Sequence, residues 1–506
     1  MSAARLLYSV EQVRAFDRHA IEVLHIPGYT LMKRAGEAAL RALRSRWPRA
    51  TQIAVVCGGG NNGGDGYVLA RFGRAAGLQV IVLAAVPVAQ LRGDARQAAD
   101  DFLSSGGHVE PFSAAGLLQG EVIVDALLGT GASGEPRGEI AAAIAAIEAS
   151  PAPVLAADVP SGVDASSGVV AGAAVHAVAT ATFHAAKPGL WIEPGRGYAG
   201  AVHVVAIGIP DGAPVTANVG LIRDALLDEL PRRSAGSTKF TSGTVLVAGG
   251  SPGLTGAPCM AALAAQRAGA GYVTVAVPAS LSLVFETRLL EAMTLALPDE
   301  HGAPTSAAAG VLLEAVAHRP GGVLVLGPGV GRSSEAIAYV QQLVAGCDRP
   351  LVLDADGLHA YAGALAALGD AHRGAVVITP HEGELGRLLG ISSEEVAFDR
   401  LRCAREAARQ AHAVVVLKGD DTLVADPDGC VAVSSGATPG LATAGTGDVL
   451  AGVVGALLAA RLEPFEAAAA AVRLHALAGR RAAALHGRDG MIASDVIEAL
   501  SEVRSR

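Results

Sequence analysis

Two kinds of text alternate along this chain. Short, continuous apolar runs between about 53 and 209 (TQIAVV, LQVIVLAAV, EVIVDALLG, APVLAADVP, HAVATATFHAA and AVHVVAIGIP) are separated by alanine-rich stretches of helical period. Apolar runs without polar alternation are strands buried on both faces, so the pattern predicts a mostly parallel sheet with helices on either side. EQVRAFDRHAIEVL, ahead of the first run, has helical spacing. A second series begins at TSGTVLVAGG and continues through AGYVTVAVP, GGVLVLGPG, RPLVLDADG, GAVVITPHEG and HAVVVLKGDD, with a hairpin-like extension TLVADPDGCVAV and a closing helix in GTGDVLAGVVGALLAARL. Between the series, residues 210–239 mix Pro, Gly and charge and are read as the linker. The two halves share a class but not a loop order, so they read as two fused α/β domains, 1–215 and 225–506, and not as a repeat.

Composition narrows the choice. The 506 residues are too many for one ordinary core, and 51% hydrophobic residues with only 4% aromatics and 63 glycines describe small aliphatic packing with tight turns. A net charge of −9 without a basic tract argues against a nucleic-acid partner. Cys57, Cys259, Cys347, Cys403 and Cys430 lack C-x-x-C spacing, which argues against zinc or a disulfide framework and for a reducing compartment. The charged start has no secretory pattern, and the longest apolar run, VLAGVVGALLAA, is too short to span a bilayer. A soluble cytoplasmic protein acting on small ligands is expected, with no membrane contact.

The loop GGGNNGGDGYVLA at 58–70 satisfies G-x-G-x-x-G between a strand and a helix, yet the next strand, LQVIVLAAVP, lacks the acid that a dinucleotide fold places on the ribose. Oxygen-bearing side chains fall at strand ends instead: Asn61, Asn62, Asp125, Asp158 and Ser161, with a second glycine loop at 129–138. Amide, carboxylate and hydroxyl oxygens suit a hard cation beside phosphates. The competing reading is that Asn61 and Asn62 only accept left-handed backbone angles in a turn. In the second half, ATAGTGDVLAG at 442–452 frees the backbone at Gly445, Thr446 and Gly447 to approach an anion at a helix start, and Asp448 is placed to accept a proton from a hydroxyl attacking phosphate. KGDDT (418–422), TPHEGE (379–384, with His381, Glu382 and Glu384), GGSPGLTGAP (249–258) and GPGVGR (327–332) converge on the same sheet edge. On residues alone a kinase of a small hydroxyl compound and a nonenzymatic nucleotide sensor remain open.

VEQVRAFDRHAIEVLHIPGYTLMKRAG, GGGNNGGDGYVLAR, VDALLGTGASGEPRG, DVPSGVDASSG and TFHAAKPGL, in that order across residues 10–210, resemble the NAD(P)H-hydrate epimerase family. The resemblance implies a Rossmann-like three-layer domain that interconverts the C6 epimers of hydrated NAD(P)H with the help of potassium. It implies that Asn61, Asn62, Gly63, Gly64 and Asp65, with Gly129, Thr130, Gly131, Ala132, Ser133, Gly134 and Glu135, hold the phosphates and ribose. Asn62, Asp125 and Ser161 would ligate K+, and Asp158 would be the acid–base group at the ring. Residues 225–505 resemble the ribokinase-like ADP-dependent NAD(P)H-hydrate dehydratase family. There the S-hydrate is phosphorylated from ADP and loses phosphate, giving NAD(P)H, AMP and phosphate. Ala257, Gly329, His381 and Asp448 would contact the hydrate, and Lys418, Gly419, Asp420, Asp421, Thr422 and Gly447 the nucleotide, with Mg2+ accompanying it and Asp448 as base. A homo-oligomer is expected. Two departures stand out: Lys33 where the first family often carries an acid, and Thr238-Lys239-Phe240 where the second usually shows His-Lys-Gly. Lys187 is open between pairing with phosphate and a solvated surface position.

Overall fold

The computed structural model describes residues 5–210, 213–318 and 322–505; positions 211–212 of the expected linker, and residues 1–4 and 506 of the expected domains, lie outside that description. The chain divides into two compact units, Leu6–Val219 and Gly220–Arg506, the latter including Arg5.

In the first unit seven strands, β1 (Gln52–Cys57), β2 (Gln79–Ala84), β3 (Val109–Pro111), β4 (Val122–Ala126), β5 (Val154–Ala157), β6 (Ala179–Phe183) and β7 (Ala201–Val205), form one parallel sheet in the order β3-β2-β1-β4-β5-β6-β7. Side chains alternate across a strand, so β1 feeds two cores at once. Ile53, Val55 and Cys57 join helices Gly28–Arg46, Asn61–Ala75 and Gly93–Ser104, while Ala54 and Val56 join helix Gly138–Glu148 on the other face. This is the three-layer arrangement that the continuous apolar runs predict.

The second unit carries β8 (Thr244–Ala248), β9 (Tyr272–Pro278), β10 (Met293–Leu297), β11 (Gly322–Leu326), β12 (Leu351–Leu353), β13 (Val376–Ile378), β14 (Val414–Leu417), β15 (Leu423–Ala425) and β16 (Val431–Val433). Their order is β16-β15-β14-β13-β12-β11-β8-β9-β10, parallel except for the antiparallel β14-β15-β16 meander that the hairpin-like text predicted. Helices Gly256–Ala268, Thr446–Ala459, Pro464–His486 and Ala493–Ser505 supply much of one core. Two of them touch at backbone distance: a Cβ on Gly452 would stand 2.1 Å from the carbonyl oxygen of Ala261.

The boundary between the units falls inside the expected linker, at Val219/Gly220. From Gly220 onward the chain belongs to the second unit: Ile222 and Leu230 lie in its core, Ile222 N–H donates to the Val433 carbonyl at 2.9 Å, and Arg473 pairs with Asp224. The charges in this segment mask the two apolar residues, Ile222 and Leu230, that anchor it, while 231–241 stay exposed.

Candidate functional site

Strand ends build both candidate sites. In the first unit Asp125 closes β4 and is fully buried. Its Oδ1 accepts from Ser161 Oγ at 2.6 Å and from Leu127 N–H at 3.2 Å, and its Oδ2 from Ser161 N–H at 2.8 Å. Asn62 reaches the same place, donating Nδ2–H to the Leu128 carbonyl at 2.7 Å, and Leu128 N–H donates to Ser161 Oγ at 2.8 Å. Among the described residues Asn62 Oδ1 is buried without a hydrogen-bond partner. The three residues expected to share a cation are thus brought together around one peptide. Burial pushes the Asp125 carboxyl up to about 6, against the hydrogen bonds from Ser161 and Leu127 that lower it. An orphaned amide oxygen and a buried carboxylate, with no thiolate or imidazole, fit a monovalent cation held by hard oxygens.

Asn61 and Asn62 do not accept left-handed angles, the competing reading; they open the helix Asn61–Ala75, whose N-cap is Gly60. Gly63 is required by contact, since a Cβ there would stand 2.1 Å from the Gly58 carbonyl oxygen. Asn61 is exposed at the helix start, where its N–H and those beside it are free for an anion. Residues 129–135 form an irregular, mostly exposed loop, with Gly129 against Asn62. Arg14, which the sequence reading passed over, reaches this loop: a Cβ on Gly131 would stand 3.8 Å from its Nη2. Asp65, expected at the ribose or phosphates, is buried and within electrostatic reach of Asp158, Asp17 and Lys187. Burial first, then the neighbouring carboxylates, hold its carboxyl well above the usual range.

Asp158 follows β5 with φ 66°, an uncommon angle for a residue other than glycine and of the kind that gathers at functional sites. Its Oδ1 accepts from Lys187 Nζ at 2.6 Å, Phe183 N–H at 3.0 Å and Thr182 Oγ1 at 3.3 Å. Lys187 is entirely buried, so it is neither the solvated surface residue nor the free phosphate partner considered from sequence. Asp17, from helix Val10–Arg18, joins the same group; burial and Asp158 raise its carboxyl.

In the second unit the helix Thr446–Ala459 starts at Gly445 with φ 91°, a left-handed angle that favours glycine. Thr446 Oγ1 donates to the Leu441 and Thr443 carbonyls at 2.8 and 3.0 Å, tying down the preceding loop. Lys418, following β14, donates to Asp354 Oδ1 at 3.1 Å and lies 3.7 Å from Glu384 Oε2; a Cβ on Gly447 would stand 3.4 Å from its Nζ. Asp448 sits in the first helical turn with its carboxyl pushed up to about 7, chiefly by burial, then by Asp354, with Lys418 opposing.

His381 caps the helix Glu382–Leu389: its Nδ1 accepts from Gly383 and Glu384 N–H at 3.0 and 3.3 Å, which leaves Nε2 to carry the proton on its exposed side. Loops 249–256 and 327–332 meet, Ser251 Oγ donating to the Gly329 carbonyl at 2.9 Å, and Ala257 lies in the first turn of helix Gly256–Ala268. Gly329 itself takes φ 65°. The KGDDT side chains divide. Asp421 is buried against Arg400 at 2.9 Å, and Thr422 Oγ1 donates to the Gly419 carbonyl at 2.7 Å, so only Lys418 of these three directs its polar end to Asp448's neighbourhood.

Asp354 and Asp356, the latter paired with Arg332 at 2.6 Å, were not singled out from sequence. LDADG closes a strand as VDA and AADVP do, and the same reasoning applied there finds them. Lys239 lies over Phe240 and Tyr272 at 5.1 and 5.4 Å, beside the first residue of β9, at the opposite end of the strands from the carboxyl-end loops. Lys33 lies over Tyr29 at 5.2 Å. Among the described residues no helix is long and apolar enough to cross a membrane, and no group of three or more His, Cys, Asp or Glu side chains is disposed to hold a metal.

Comparison with known proteins gives these sites a context. The NAD(P)H-hydrate dehydratase family profile matches residues 245–502, and that of the YjeF-related protein N-terminus matches residues 28–189. A bifunctional NAD(P)H-hydrate repair enzyme of Coxiella burnetii is 41% identical over 97% of this chain and 98% of its own length. That of Escherichia coli is 35% identical over 99% of this chain and 95% of its own. A solved Bacillus subtilis ADP/ATP-dependent NAD(P)H-hydrate dehydratase, co-crystallised with ATP/Mg2+, is 28% identical, covers 56% of this chain and 98% of its own, and superposes with a TM-score of 0.48. With similarity running the full length of both units, the chain belongs to the bifunctional NAD(P)H-hydrate repair enzymes, pairing an epimerase with a nucleotide-dependent dehydratase.

Proposed function

We propose that the first unit interconverts the R and S forms at C6 of NAD(P)H hydrate through Asp158, and that Asp448 in the second is the base that commits the S form to dehydration. The hydrate carries a hydroxyl on a carbon next to the ring nitrogen, so inversion requires protons to move at that hydroxyl or nitrogen. A carboxylate at a strand end can exchange them. Asn62, Asp125 and Ser161 would hold a potassium ion, which supplies positive charge to a buried carboxylate and to substrate oxygens nearby. Asn61, Gly63, Gly64 and the loop 129–135, with Arg14 beside it, would take the phosphates.

In the second unit Asp448 removes the C6 hydroxyl proton as its oxygen attacks the terminal phosphoryl group of ADP. The O–P bond forms as the P–O–P bridge breaks, and AMP leaves. Loss of phosphate from C6 with a proton from C5 then restores the double bond. Helix N–H groups at 445–447 and Lys418 oppose the phosphate charge. Magnesium would accompany the nucleotide and supply positive charge to its phosphates. Ala257, Gly329 and the exposed face of His381 would line the hydrate.

The observation that carries this reading is Asp448, raised to about 7 at the first turn of an anion-binding helix, where a base is needed near neutral pH. The test is racemic NADH hydrate with ADP, following regenerated NADH. Recovery of both epimers supports the full reading; recovery of S alone removes the first half, and no recovery removes the second. Exposed Ile21, Val23 and Leu24 support the expectation of a homo-oligomer, which sedimentation would test.

A further inference from the structure

The Asp158 carboxylate is asymmetric. All three of its hydrogen bonds from the described residues fall on Oδ1, from Lys187, Phe183 and Thr182, while Oδ2 accepts none. Lys187 is used up in the same knot: its three N–H groups go to Asp158 Oδ1 at 2.6 Å, Thr182 Oγ1 at 2.8 Å and the Phe183 carbonyl at 3.0 Å. The backbone makes this possible. After β6 the chain takes a left-handed step at His184, φ 60°, which folds Lys187 back under the strand end it has just left.

An ammonium has three donors and no lone pair, so Lys187 has nothing left with which to touch a ligand or accept a proton. A carboxylate oxygen with three donors around it has no lone pair to offer either. Only Oδ2 is left to meet the substrate.

We infer that Lys187 is a positioning residue for epimerisation: by saturating Oδ1 it fixes the carboxylate plane and makes Oδ2 the single oxygen that exchanges a proton with the hydrate. This rests on Asp158 as the acid–base group, and it adds which atom acts and what aims it. The competing account is a structural staple between two strand ends, since a buried ion pair can hold a fold together without serving chemistry.

Lys187→Met keeps the length of the stem and removes the ammonium. Measured in the full chain with separated epimers, kcat for epimerisation should fall about 100-fold, the cost of misplacing a reacting group by about an ångström, with KM nearly unchanged. Dehydration of the S form by the same molecules should stay at the parent rate. In the double variant with Asp158→Asn, Lys187→Met should add no further loss, because a positioning residue has no effect once its object is gone. Parent kcat with a lowered melting temperature, or losses that multiply in the double variant, would overturn the inference in favour of the staple. Should Lys187→Met fail to fold, Thr182→Val retains the packing and removes one hydroxyl from the knot. It should slow epimerisation about five-fold at an unchanged melting temperature, and an unchanged rate overturns the inference. Full epimerase activity in Asp158→Asn alone would instead remove the role of Asp158, whatever Lys187 does.

Discussion

Both units set a lysine beside carboxylates at the carboxyl end of a parallel sheet, and they use it in opposite ways. Lys187 is sealed in, its three donors taken by one carboxylate, one hydroxyl and one carbonyl. Lys418 is shared between Asp354 and Glu384 and stands against Gly447 at the start of the helix Thr446–Ala459. Burial works to lower the Lys418 ammonium, but Asp354 and Glu384 prevail and its pKa is raised, so it stays charged where phosphate would sit. The first site gains a fixed oxygen from its lysine. The second gains a cation between carboxylates, and burial first, then Asp354 against the opposing Lys418, raises Asp448 to about 7. Moving a proton on and off one small centre calls for aim, whereas transferring phosphoryl calls for charge.

That contrast can be broken most sharply by removing each base. Asp448→Asn should lower ADP-dependent conversion of the S form by about 10²–10⁴-fold and leave interconversion untouched, and Asp158→Asn should do the reverse. Chromatographic resolution of the epimers over time reads both, and loss of both activities in either folded variant would mean the units share one centre. A smaller effect comes from pH. Asp448 must be ionised to act, so dehydration should rise with pH through about 7 and level off above it, and one unit below that midpoint only about a tenth of the groups are ionised. Initial rates at saturating ADP measure this. Asp354→Asn removes a raising charge and frees Lys418 to oppose the rest, so the midpoint should move down; a flat profile excludes Asp448 as the base. Asp125→Ala should abolish any potassium stimulation of epimerisation, and equal parent rates in potassium and a bulky organic cation would argue against the site at Asn62, Asp125 and Ser161. Smallest of all, Lys239→Ala loses only a stacked cation, about 0.5–1 kcal/mol in chemical unfolding, with both activities intact.

Much of this was legible before any coordinates. Continuous apolar runs gave both sheets because strands buried on two faces cannot alternate, and Asn62, Asp125 and Ser161 were found as oxygen-bearing residues at strand ends. The segment after Gly220 was not, since its charges hid the few apolar residues that anchor it. Lys187 escaped because a lysine before proline carries no local sign of burial; only the return of the chain after His184 places it under Asp158. Asp65 fell inside a glycine loop and was read with its neighbours, although the helix turns its side chain inward. Asp354 needed no structure, only the strand-end argument applied to one more strand.

The knot at Lys187 also bears on how such a protein can decay. Asp158→Gly would relieve the left-handed backbone, a gain on the order of 1 kcal/mol, but it would strand a buried ammonium, at about 3–5 kcal/mol. Losing the lysine first strands the carboxylate instead. Drift by single substitutions therefore meets a valley in either direction, deep enough to matter for a fold only marginally stable to begin with. A lineage with no further use for epimerisation would keep the pair as a fossil, intact in sequence long after selection for the reaction had ceased, unless both positions changed together.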